Sequence, residues 1–334
     1  MNRKEKMEGL IPELSFIKEE DYFGQMEQLV RPILEQNRKT GYFKSFDDAR
    51  LYYECYENPQ EKAAIVISHG FCEFTQKFEE VIFYFFQAGY TVYILDHRGH
   101  GYSERMVEDG GKVYIHSYEE YVQDFHSFIT KIVVKENRHK KLVLYAHSMG
   151  GAIAALYLEQ HPDIFSCAIL SSPMLEMNFG MVPTAIVWFL LLLIKLLRIE
   201  KSYAPGHGGF DGIADFKRSS CLSEARYQHI FSKRQQDKQY QTYGASCAWA
   251  LASLRALRKL HKQAGLIKTP ILMFQAGRDT TVKSGGQLAF ARKTENTKLV
   301  RLPESKHEIY NSGTEIITEY YTEIFAFLEE KLKG

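Results

Sequence analysis

The stretch Lys141-Leu-Val-Leu-Tyr-Ala-His-Ser148-Met-Gly-Gly151 decides how the rest of the chain is read. Its first part, Lys141-Leu-Val-Leu-Tyr145, is a short apolar run of the kind a buried parallel strand needs. From Gly150 to Gln160 the periodicity is helical. Between them, Ala146-His147-Ser148-Met149-Gly150-Gly151 matches a strained strand-to-helix turn that lifts a serine hydroxyl clear of a sheet. Small residues are needed two before and two after the serine, because the turn brings backbones together. Ala146 stands where glycine is more usual. A helix N-terminus behind the serine favours negative charge developing beside it. The alternative at this point is an ordinary turn between strand and helix, capped by a serine.

Outward from this segment the pattern alternates. Strands are predicted over 50–56, 63–68, 90–95 and 167–170, and helices over 77–88 and 118–135. That rhythm implies a mostly parallel sheet with helices on both faces. It stops at about residue 174. Up to about 268 there is an apolar stretch (181–197), a Gly/Pro-rich loop (203–209) and helices over 223–233 and 246–260. A strand at 270–274 resumes the alternation, followed by helix 287–293, strand 298–302 and a closing helix, 315–331. The expected division is therefore 1–173 as the first part of an α/β core, with a helical segment over 1–40; 174–268 as a helical cap insert; and 269–334 as the second part of the core.

Two later segments give the serine its partners. Gln275-Ala-Gly-Arg-Asp279 and Pro303-Glu-Ser-Lys-His307 each follow a predicted strand. The ends of such strands are where an open α/β sheet places its site. His307 is expected to take the proton of Ser148, with Asp279 orienting the imidazole. The chain order Ser, Asp, His is the one used with such an elbow. An acyl-transfer site also needs two N–H donors aimed at an oxyanion. Met149, after the serine, is one; Phe71, in His69-Gly70-Phe71 after the 63–68 strand, is the other. His69 and Gly70 are grouped with the residues that bind substrate. A plain tight turn is the competing reading of His69-Gly70.

On these residues the chain resembles the lysophospholipase and monoacylglycerol lipase branch of the serine α/β-hydrolases, over residues 65–307. Asp96-His-Arg-Gly-His-Gly-Tyr-Ser103 looks like that branch's DxRGxGxS segment. Residues 222–227 and 242–249 resemble the bacterial lysophospholipases more weakly. The resemblance implies the α/β-hydrolase fold, structural work for Asp96, Arg98 and Gly99, and an insert lying as a cap over an acyl pocket. It implies hydrolysis of a small lipid ester, a lysophospholipid or monoacylglycerol, through an acyl-enzyme on Ser148. Trp188 and Phe189 would then line the entrance for an alkyl chain or rest on a membrane surface, the alternative being that this helix is simply cap core. A general carboxylesterase or a serine aminopeptidase on the same scaffold stays open, as does a binding protein without activity. A serine at the elbow excludes the dehalogenases and epoxide hydrolases, which need a carboxylate there.

Composition adds exclusions. The 334 residues are 45% hydrophobic and 25% charged with net charge +1, so there is no basic face for nucleic acid. Cys55, Cys72, Cys167, Cys221 and Cys247 are odd in number and widely spaced, which argues for reduced thiols in the cytoplasm rather than a disulfide framework or structural zinc. No metal or cofactor is expected. The N-terminus lacks the apolar core of a signal peptide. The apolar run inside 181–197 is shorter than the ~20 residues a membrane span needs, so membrane association, if any, is expected to be peripheral.

Overall fold

Every side chain of Ala63–Ser68, Tyr90–Leu95, Leu142–His147, Cys167–Ser171 and Ile271–Ala276 is withdrawn from water. Strands buried on both faces read as unbroken apolar runs, which is why the sequence located them. The computed structural model describes residues 16–136 and 141–333. Its main sheet has eight strands: β1 (Arg38–Lys44), β2 (Arg50–Tyr56), β3 (Ala63–Ser68), β4 (Tyr90–Leu95), β5 (Leu142–His147), β6 (Cys167–Ser171), β7 (Ile271–Ala276) and β8 (Thr297–Leu302). Their order is β1-β2-β4-β3-β5-β6-β7-β8. Only β2 runs against its neighbours; β4, β3 and β5 to β8 are parallel.

Eight longer helices accompany the sheet: α1 (Glu79–Gln87), α2 (Glu119–Phe128), α3 (Met149–Gln160), α4 (Thr184–Leu196), α5 (Glu224–Gln236), α6 (Cys247–Gln263), α7 (Ser284–Ala291) and α8 (Thr314–Leu332). Side chains alternate across each strand and so feed two cores. Ala64 and Val66 of β3 join the α2 and α3 side, whereas Ala63, Ile65 and Ile67 join α1 and α8. The fold is the α/β arrangement expected.

Two differences from the sequence reading have a common cause. Residues 1–15 of the expected helical segment 1–40 lie outside the described residues. Tyr22–Gln25, Met26–Val30 and Arg31–Asn37 are helical, but Arg38 already begins β1. This edge strand, Arg-Lys-Thr-Gly-Tyr-Phe-Lys, has almost no buried face and hence no apolar alternation; only pairing with β2 defines it. Likewise Gly244–Ala245, inside the stretch read as strandless, pairs with Lys112–Val113.

The connection from β6 to β7 carries α4, α5 and α6. Ser223 and Ser246 cap α5 and α6, their hydroxyls accepting from the N–H of Arg226 and Trp249 at 3.3 and 3.1 Å. Helix α5 is tied to the core through charge. The fully buried Arg226 donates to Glu80 of α1 at 2.6 and 2.9 Å and to the carbonyl of Ile17 at 3.1 Å. Lys233 meets Glu79 at 2.6 Å. The N-terminal segment, α1 and α5 are thus fastened at one point. Among the described residues, no helix is long and apolar enough to cross a membrane.

Candidate active site

The turn after β5 is strained, and the strain has an identifiable purpose. Ser148 has φ +50° and ψ −117°, a conformation L-residues avoid. Gly150 must be glycine: a Cβ there would fall against the carbonyl oxygens of Ser68 and His69, 2.5 Å from the latter. Helix α3 therefore starts pressed against the end of β3, and Ser148 is left projecting at the sheet's C-terminal edge.

The structure brings Ser148, Asp279 and His307 together although 159 residues separate the first from the last. His307 Nε2 lies 2.8 Å from Ser148 Oγ, and His307 Nδ1 lies 2.7 Å from Asp279 Oδ2. A carboxylate only accepts, so Nδ1 carries the ring proton and Nε2 is free to accept from the serine hydroxyl. The other oxygen of Asp279 accepts from the N–H groups of Thr281 and Val282 at 2.8 and 3.0 Å. Burial pushes the Asp279 carboxyl up, but the hydrogen bond and charge of His307 and these two N–H groups outweigh it, and the net shift is downward. Ser148 and His307 are only 7% and 5% exposed. Such a site strengthens every electrostatic contact made inside it.

Among the described residues, the main-chain N–H groups of Phe71 and Met149 donate to no intramolecular acceptor. The Phe71 loop is held from both sides. The N–H of Gly70 donates to Glu73, and the carbonyl of Cys72 accepts from Arg234 of α5 at 2.7 Å. Trp249 of α6 rests on the Phe71 ring with centroids 4.3 Å apart. The insert thus reaches the Phe71 loop.

Other residues singled out in the sequence are used differently. His69 was grouped with the substrate-binding residues, yet it is fully buried and both ring nitrogens are occupied: Nδ1 donates to the carbonyl of Gly70 at 2.8 Å, and Nε2 accepts from the N–H of His97 at 3.0 Å. Burial lowers its pKa to about 4, so it stays neutral. It shapes the loop and presents no group to a substrate. Gly70 sits where a Cβ would meet Glu73 and His147. Phe189 is 67% exposed. Trp188 lines a surface depression whose other lining residues are Arg255, Arg258, Lys259, Lys262 and Gln263. The expected structural roles of the 96–103 segment fit the geometry. Asp96 accepts from Thr75 and Tyr102 N–H at 2.7 and 2.8 Å, and Arg98 is clasped by Asp124, Asp47 and Glu120. Gly99 has φ +78°.

Sequence reasoning missed a buried charge network beneath the site. Lys77 Nζ lies 2.8 Å from Glu73 and 2.8 Å from Glu308, the residue after His307. Glu73 also accepts from Tyr310 OH at 2.7 Å. The His147 ring lies tilted against that of His307, centroids 4.9 Å apart, and 3.7 Å from Glu73. Burial pushes His147 down to about 4 despite that carboxylate, so it is neutral. The spacing of Glu73 and Lys77, four apart beside the His69-Gly70 turn, was the available signal.

The chain is similar to several known proteins. The profile of the Hydrolase_4 family, serine aminopeptidase, S33, matches residues 59–313. Lysophospholipase L2 of Escherichia coli (strain K12) is 27% identical over 247 residues, 74% of this chain and 72% of that protein. Monoacylglycerol lipase of Mycolicibacterium smegmatis is 24% identical over 284 residues, covering 84% and 93%. A soluble variant of monoglyceride lipase from Saccharomyces cerevisiae, solved with a substrate analog, shares the fold with TM-score 0.68 at 18% identity, over 88% of this chain and 96% of its own.

Proposed function

The chain belongs to the serine aminopeptidase, S33 family of α/β-hydrolases, and from that premise we propose that it hydrolyses carboxylic esters of single-chain lipids, lysophospholipid or monoacylglycerol, through an acyl-enzyme on Ser148. It is a carboxylic ester hydrolase of the lysophospholipase and monoacylglycerol lipase branch. The observation that carries the mechanism is the 2.8 Å approach of His307 Nε2 to the Oγ of a serine held on a strained elbow.

In this reading His307 takes the Ser148 proton as Oγ attacks the ester carbonyl. The oxyanion accepts hydrogen bonds from the N–H groups of Met149 and Phe71. Collapse expels the alcohol, which receives the proton from His307, and the acyl group stays on Ser148. Water, activated by the same histidine, then releases the fatty acid. Asp279 keeps the imidazole in the working tautomer and stabilises its charged form. Residues 174–268 act as a cap, and Trp188 and Phe189 meet lipid at its outer surface. The odd number and wide spacing of the five cysteines support a cytoplasmic location, with contact to membranes made through the cap.

An aminopeptidase needs carboxylates to hold the substrate amine, and α4 and α6 contain neither Asp nor Glu, which favours the ester. The test is a panel of p-nitrophenyl esters of rising chain length, then lysophosphatidylcholine, monoacylglycerol and aminoacyl p-nitroanilides. Ester turnover should rise with chain length, since each buried methylene contributes about 0.8 kcal/mol. Ser148→Ala should lose on the order of 10³-fold or more of it and cease to label with a fluorophosphonate. Preference for the anilides, or labelling that persists in Ser148→Ala, would overturn the reading.

A further inference from the structure

The loop after β3 that carries Phe71 is not held by the sheet alone. Cys72, the next residue, has φ +57°, a left-handed backbone that a non-glycine residue keeps only under constraint. On the core side the constraint is Glu73, whose carboxylate accepts from the N–H of Gly70. On the other side it comes from the insert. Arg234, near the end of α5, donates from Nη2 to the Cys72 carbonyl at 2.7 Å, across 162 residues of chain.

The surroundings of Arg234 commit it to that carbonyl. Among the described residues it pairs with no carboxylate. Its guanidinium lies between the rings of Phe74 and Tyr243, 5.7 and 5.5 Å from their centroids. Phe74 stacks in turn on Tyr240 with centroids 4.0 Å apart. A half-buried cation without a counter-ion has to be stabilised by dipoles and ring faces, and the Cys72 carbonyl supplies such a dipole. Helix α5 is itself fastened to α1 through Lys233 and Arg226, so the guanidinium is presented from a fixed base.

We propose that Arg234 is a positioning residue, through which the insert sets the backbone of the oxyanion loop and so the aim of the Phe71 N–H. That N–H has no intramolecular acceptor to fix its direction, so its direction is inherited from the residues on either side. Trp249 of α6 holds the Phe71 ring, and Arg234 of α5 holds the carbonyl of the next residue. An oxyanion donor is effective only when it is already aimed before charge develops. The insert therefore contributes to the chemical step and not only to the choice of substrate. The inference rests on the reading of Phe71 as an oxyanion donor for an ester attacked by Ser148.

The experiment compares the parent with Arg234→Met, which keeps a long chain against Phe74 and Tyr243 but offers no donor, and with Arg234→Lys, which restores one. The substrate is p-nitrophenyl acetate, whose small acyl group makes no demand on a lipid pocket. Rates are taken per site titrated with a fluorophosphonate, so that unfolded protein does not count. Removing an oxyanion donor outright costs about 10²–10³-fold in kcat, and misaiming one should cost on the order of tenfold or more. In Arg234→Met, kcat and kcat/KM should fall together, the mark of an interaction made only in the transition state. The rate of fluorophosphonate labelling, whose phosphonyl oxygen uses the same two donors, should fall with them. Arg234→Lys should recover most of both rates. Should Arg234→Met fail to fold, Arg234→Gln, whose amide stops short of the carbonyl, carries the same expectation. A folded variant with parental kcat, a rise in KM alone, or no recovery in Arg234→Lys would each overturn the proposal. So would a loss seen with lysophosphatidylcholine and absent with p-nitrophenyl acetate, which would make Arg234 a contact to the head group. A parent that hydrolyses p-nitrophenyl acetate but no lipid ester, with Arg234→Met slowed, would leave the proposal standing and overturn the lipid-ester reading. Lipid-ester turnover equal in the parent and Arg234→Met would do the reverse.

Discussion

Replacing Lys77 by methionine should destabilise the protein through the carboxylates it leaves behind. The side chains of Lys77 and Glu73 are 6% and 5% exposed, and Glu308 is 14% exposed. In the parent both carboxylates lie below their usual range: burial pushes them up, and the ammonium 2.8 Å away outweighs it. Without Lys77 the burial effect stands unopposed and the two negative charges repel. Removing one partner from a buried ion pair costs about 3–5 kcal/mol. With an unfolding entropy of about 0.7 kcal/mol/K for a chain of this length, that is a fall in Tm of roughly 6 °C. The sign with pH follows. Parent carboxylates with lowered folded pKa values contribute stability above their unfolded pKa, and this drains away as pH falls. In Lys77→Met the carboxylates are raised instead, so their penalty is present at neutral pH and relieved by protonation. The gap between variant and parent should therefore be widest near neutrality and narrow towards pH 4–5. Urea unfolding followed by circular dichroism at several pH values measures it. Adding Glu73→Gln and Glu308→Gln to Lys77→Met should recover much of the loss at neutral pH, because no charge is then left unpaired. A gap independent of pH, or a triple variant worse than the single one, would refute the reasoning.

Three further outcomes are expected. Asp279→Asn should lower kcat on the order of 10⁴-fold by admitting the wrong imidazole tautomer. Combining it with Ser148→Ala should add little, and steady-state kinetics on one soluble ester measures both effects. Gly150→Ala forces a methyl group onto the carbonyls of Ser68 and His69; fluorophosphonate labelling should be lost because the elbow is displaced, even where circular dichroism still reports a folded sheet. Glu79 is held at about 2: burial pushes it up, and His229 and Lys233, 3.6 and 2.6 Å away, hold it down. Its contribution is in place above about pH 4.5 and is lost as pH falls towards 2, so Glu79→Gln should cost about 3 kcal/mol at neutral pH in urea titrations and less than half of that at pH 3.

The sequence by itself determined the central strands, because β3 to β7 are buried on both faces and must be spelled in unbroken apolar residues. It also located the elbow at Ser148, where a steric rule demands Gly150, and named Asp279 and His307, since their loops follow strands in a fixed order. Edge strand β1 was not legible: its pairing partner, not its own composition, makes it a strand. The sequence likewise misplaced His69, because a histidine beside a turn has the same spelling whether its ring faces substrate or, as here, closes two internal hydrogen bonds. For Trp188 and Phe189 the sequence left open an entrance for an alkyl chain, a membrane-facing surface and cap core; helix packing decided that Phe189 is 67% exposed and that Trp249 rests on Phe71. The joining of Glu73, Lys77 and Glu308, and of Arg226 with Glu80 and the N-terminal segment, spans up to 231 residues from Lys77 to Glu308 and 209 from Ile17 to Arg226. Charges that far apart carry no local pattern; only the tertiary structure, by taking them out of water together, decided that they must pair.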